Sequence, residues 1–136
     1  MKKKTVLLLA VLGLVVLSLG AMATYTLCPI RNIPSAVGAI FTNGSSVTTY
    51  ARLITIHNAY SVSENVSIYL VPNSGGSVGT AVDTGNRIEY LTVVGNDTVN
   101  LEFAAPGLRM AAQNDSIQAK TTTDSHVMIY ISGFQE

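Results

Sequence analysis

The chain has no tryptophan, one cysteine, four prolines and three phenylalanines among its 136 residues, and only 12% of them are charged. A lone Cys28 rules out an internal disulfide. A secreted mini-protein stapled by bridges is therefore excluded, and the fold must rest on apolar burial, to which oligomerisation can add. Two histidines, His57 and His126, are too few for a three-histidine metal centre. Positive charge is also scarce. Eight basic residues balance eight acidic ones, but three of the basic ones are Lys2, Lys3 and Lys4, so residues 24 to 136 keep five against eight and stand at −3. That body lacks the basic footprint of a nucleic-acid partner. At this length the chain holds one ordinary domain of about 100 to 150 residues, which excludes a multidomain enzyme.

What is present falls into two parts. Residues 1–23 begin with the three lysines, continue in an apolar run from Val6 to Leu19 broken only by Gly13 and Ser18, and end in Ala21-Met22-Ala23. Basic head, apolar middle and small-x-small end are the parts of an export signal, with cleavage after Ala23. The stretch Thr5 to Ala23 is also 19 residues long, enough to cross a bilayer as a hydrophobic helix, so a retained membrane anchor is the second reading. A third is a buried helix in an oligomer.

From Thr24 onward Val, Ile, Thr, Tyr, Ser and Asn dominate, and 9 of the 11 glycines fall here between apolar runs. This is strand and turn chemistry. Tyr50 to Asn58 and Asn65 to Val71 alternate as half-buried strands, with further strands expected at Ile88–Val93, Thr98–Phe103, Ser116–Lys120 and His126–Ser132. Two weaker ones precede them at Thr24–Leu27 and Ala36–Phe41, and Pro72 to Gly79 reads as a surface loop. Turn signals about every 10 residues predict an all-β antiparallel β-sandwich over 24–136, jelly-roll or immunoglobulin-like, preceded by the N-terminal hydrophobic helix. The core is expected from Ile54, Ile56, Val66, Ile68, Leu70, Leu91, Val93, Val99, Leu101, Phe103, Ile117, Val127, Ile129 and Ile131.

Short motifs resolve mostly as turns. Asp83-Thr84-Gly85 carries the aspartic-protease signature, but Asn86 follows where a small residue is usual, and the tetrapeptide is ordinary turn chemistry. Asp124-Ser125-His126 has the residue types of a hydrolase triad, yet neighbours in an extended chain point to alternate faces. Asn96-Asp97 and Asn114-Asp115 lack the clustered acids of a calcium loop and read as Asx turns. The sequons at Asn43, Asn65, Asn96 and Asn114 follow from composition. Cys28 reads as a free, partly buried thiol rather than a lipidated N-terminus, because three polar residues separate it from the apolar run and Pro29 follows it. No acid and base pair is placed for catalysis, so the reading is non-enzymatic with no cofactor and no metal.

One stretch carries a family likeness. Leu53-Ile-Thr-Ile-His-Asn58, Tyr69-Leu-Val-Pro-Asn-Ser-Gly-Gly76, Asn96-Asp-Thr-Val-Asn-Leu101, Asn114-Asp-Ser-Ile-Gln-Ala119 and Val127-Met-Ile-Tyr-Ile-Ser-Gly133 occur in an order that resembles small β-sandwich virion proteins of bacteriophages, the head or tail accessory proteins. The resemblance spans about residues 48–133, and the export-like N-terminus departs from it. It implies assembly as homo-oligomers or on a capsid, and no catalytic residues. Tyr69, Tyr90, Met128 and Tyr130 alternate with core residues and are the candidate interface. The expectation is a structural virion protein, membrane-associated through residues 5–23 if the anchor is kept. The rival is a secreted or periplasmic binding module for carbohydrate or a host surface, presenting the Gly-rich loop and the tyrosines.

Overall fold

The computed structural model describes residues 24–136, so the expected N-terminal helix and the cleavage or anchor question lie outside the described residues. Nine strands and no helix make up the described part: β1 (Tyr25–Asn32), β2 (Gly38–Thr42), β3 (Thr49–Asn58), β4 (Glu64–Val71), β5 (Arg87–Val93), β6 (Thr98–Glu102), β7 (Leu108–Met110), β8 (Ser116–Thr121) and β9 (Val127–Gln135). All the pairings are antiparallel, in two sheets. One runs β1-β9-β3-β6, with β7 also on β3, and the other β2-β8-β4-β5. The all-β sandwich expected from the alternation is present.

The pairing is nested. β1 pairs with β9, β2 with β8, β3 with β6, and β4 with β5, as in one long hairpin. The additional ladders β9-β3 and β8-β4 roll that hairpin into two layers. Rolling works because each strand has one apolar side. Ile54, Ile56, Val66, Ile68, Val93, Ile117, Val127, Ile129 and Ile131 are all at most 1% exposed, and Leu70, Leu91, Val99, Leu101 and Phe103 pack half-buried around them. Burying each such side chain stabilises the fold by about 1.5–3 kcal/mol. Three groups the alternation did not mark join this core: Cys28, Ile33 and Ile40 from the first two strands and their link, Ala51 from β3, and Met110 from β7.

Two buried asparagines fasten the ends. Asn43 donates to the carbonyls of Val47, Met110 and Ala112 at one end, and Asn58 donates to those of Val62 and Val93 at the other. Each replaces the water that its loops' orphan carbonyls would otherwise need. The loops after β1, β3, β5 and β8 share the Asn58 end, whereas Thr24 and the C-terminus lie at the Asn43 end.

Candidate functional site

The outer face of the β2-β8-β4-β5 sheet is charged and partly roofed. Tyr69 does point outward, as expected, but it is 1% exposed rather than available, because the segment 72–86 folds back over it. Its hydroxyl donates to Asp83 Oδ1, and Gln118 Nε2 donates to Gly79 O, which fixes the segment at a second point. Asp83 also faces Lys120 at 3.4 Å and Arg87 at 3.6 Å. The Tyr69 hydroxyl, with the charges of Lys120 and Arg87, holds the exposed Asp83 carboxyl below its ordinary range despite some burial. Asp83 is thus a loop anchor in this fold. Tyr90, 55% exposed, lies on the same sheet with Arg87 5.3 Å from its ring centroid.

The outer face of the β1-β9-β3-β6 sheet is chemically different. Register places Tyr130, Thr55 and Asn100 in one row across β9, β3 and β6, and Met128, His57 and Thr98 in the next. Neither row contains Asp, Glu, Lys or Arg; Glu102 lies opposite Leu53 in the next row, and Asp97 precedes Thr98, whose N–H its Oδ1 accepts. The polar side chains in these rows bond to one another. Thr55 donates to Asn100 Oδ1 at 2.9 Å, His57 Nδ1 and the Thr98 hydroxyl are 3.0 Å apart, and Tyr130 and Thr26 share a 3.0 Å bond between hydroxyls. Beside them is a shallow apolar groove of about 160 Å³, lined by Ile30, Thr55, His57, Met128, Ile129 and Tyr130. Ile30, at its edge, is 70% exposed.

The four residues expected at an interface therefore do not converge. Met128 and Tyr130 share the neutral face, Tyr90 is on the opposite sheet, and Tyr69 is under the 72–86 segment. A tyrosine platform combined with the Gly-rich loop does not form, since that loop's own segment covers Tyr69. Ile30 escaped the sequence reading because register shifts between Thr26 and Cys28 and between Cys28 and Arg31 break the period of two.

The other motifs separate likewise. Asp124 accepts the Ser35 N–H, and His126 bonds to Glu64. Asn96 and Asn114 sit at φ values of 60° and 69°, in left-handed turns, and Asp115 accepts N–H groups of Asn73, Ala111 and Ala112. Cys28 is 3% exposed, more deeply buried than expected, and burial raises its thiol pKa against the opposing pull of Arg31. Among the described residues no group of three His, Cys, Asp or Glu could hold a metal ion. A concavity of about 540 Å³ beside Pro72, Val78 and Asn86 is lined without a titratable side chain. No protein-family model matches this chain, and no curated protein matches it.

Proposed function

We propose that this chain is a non-enzymatic structural protein of a virus particle, a jelly-roll subunit that assembles with its own copies or onto a capsid or envelope lattice, with residues 1–23 as its export signal or anchor. The nested pairing of first strand with last supports the jelly-roll form over the immunoglobulin form, in which the hairpin is not rolled this way. Fold alone assigns no function, since jelly rolls serve capsids, lectins and enzymes. The observation that carries the reading is the centre of the outer face of the β1-β9-β3-β6 sheet, two rows without Asp, Glu, Lys or Arg whose polar groups are already paired within the face. Depletion of charge marks the centres of protein contacts. Burying polar groups that keep their hydrogen bonds avoids the desolvation penalty of orphaned ones.

The reading is tested by fractionating the producing culture on a density gradient and tracing the chain by mass spectrometry. It should travel with particles in a fixed ratio to the major coat protein. Recovery only as free protein in the medium or periplasm would refute it.

A further inference from the structure

Resting on the assembly reading, we propose that the neutral outer face of the β1-β9-β3-β6 sheet packs against the same face of a second copy, across a two-fold axis near Thr55. The charge pattern favours this occupant. A face with a net charge repels its own image, whereas rows without charge meet theirs with no like charges opposed. The two rows through Thr55 and His57 carry no Asp, Glu, Lys or Arg, whereas Arg87 and Lys120 of the opposite sheet, with Asp83 of the segment above it, stand exposed to solvent.

Size points the same way. Ile30, 70% exposed, forms one wall of the apolar groove and adds apolar area to the face. Four strands about 4.8 Å apart and about eight residues long at 3.3 Å each present about 500 Å² per copy over the whole sheet face, with Glu102 at its β6 edge. A pair buries about 1,000 Å², the lower bound of a specific interface. The contact is therefore modest between two copies and gains strength when many are held in one array.

The test uses the protein as recovered from its producing cells and follows its mass by sedimentation equilibrium. The wild type should show a concentration-dependent dimer. Thr55→Lys places like charges across the axis and should raise the dimer dissociation constant by about 100-fold, as should Thr55→Glu. Mixing the two variants should restore the dimer, an outcome that only self-pairing of this face produces. Tyr90→Lys, on the other sheet, should leave the dimer intact. Asn100→Lys, at the exposed end of the same row, carries the test if the Thr55 variants fail to fold.

A wild type that stays monomeric to about 100 µM, yet still enters particles and loses entry with Asn100→Lys, would overturn the self-pairing and leave the assembly function standing. Dimers indifferent to the face variants but broken by Tyr90→Lys would also overturn it. A monomer found in no particle would remove both proposals together.

Discussion

His126 Nδ1 lies 2.8 Å from Glu64 Oε1, and the same imidazole stacks on Tyr60 with ring centroids 3.5 Å apart. Two loops, those after β3 and β8, are thereby closed over the first residue of β4. Glu64 is 3% exposed, and because an ionised carboxylate only accepts, Nδ1 carries the proton. Burial pushes the Glu64 carboxyl up, but interactions with His126 and Thr123 outweigh it and hold it below its ordinary value. His126→Ala leaves that buried carboxylate without its partner. It should cost about 2–3 kcal/mol, below the usual range for a broken buried pair because the imidazole is partly solvated. Urea unfolding checks this, and Glu64→Gln added to His126→Ala should recover more than half of the loss.

Asp115 makes stability depend on acid. Its Oδ1 accepts from the Asn73 backbone at 2.9 Å, and its Oδ2 from Ala111 at 3.0 Å and Ala112 at 2.9 Å. Burial raises its pKa, but these N–H groups together bring it below the ordinary aspartate value. A depressed folded-state pKa gives stability that is complete above the unfolded value, about 3.9, and lost as pH falls through the folded one. Glu64 acts in the same direction. Melting temperature should therefore stay level from about pH 7 to 5 and drop below about pH 4. Asp115→Asn should cost about 2 kcal/mol at neutral pH and flatten the acid limb of the curve. A limb of unchanged steepness would assign the acid sensitivity to other carboxylates.

Tyr69→Phe separates the anchor from the packing. The ring keeps its burial while Asp83 loses the hydroxyl that ties the 72–86 segment to β4. The expected cost is about 1 kcal/mol, with faster proteolytic nicking near Gly75-Gly76. Tyr69→Ala should cost about 3–5 kcal/mol, because it also empties a buried site. Limited proteolysis followed by mass spectrometry reads the nick, and equal protection of wild type and Tyr69→Phe would contradict the anchoring role.

Gly133 of β9 sits where the β3 backbone and Leu27 of β1 approach closely. A Cβ there would overlap the Tyr50 carbonyl oxygen and press on Leu27 and Ala51. Two of these neighbours are backbone, which cannot rotate away. Gly133→Ala should therefore destabilise by about 3 kcal/mol, visible as a lower urea midpoint, although alanine has the better strand statistics. Gly85→Ala, with only Val82 at the margin of contact, should be near neutral.

The strands were legible where the period of two ran long enough to repeat. Ile54 and Ile56 answer Ile129 and Ile131 across the β3-β9 ladder, and each pair shows its alternation locally. β7 was not seen, since Leu108-Arg109-Met110 is too short for a period and follows Pro106-Gly107, which reads as a turn. Alternation gives the side of a sheet but not what lies above that side, which is why Tyr69 looked exposed. Met128 and Tyr130 were found as outward residues of β9. Their neighbours Thr26, Thr55 and Asn100 were not, because the bonds that join the face link residues 104 and 45 positions apart. The strand order has the same character, being a property of which distant runs meet.

The pairing of β1 with β9 also sets an order in time. In its sheet β1 has no hydrogen-bonded neighbour except β9, and β2 in its own has none except β8. A growing chain thus holds its first two strands without partners until the final ones have been synthesised. The earliest ladder it can close is β4 with β5, the one pair joined by consecutive strands within a single sheet on that side. Contacts of such long sequence separation form slowly. The sandwich therefore cannot lock until β9 has been synthesised, and until then β1 and β2 are strands in waiting.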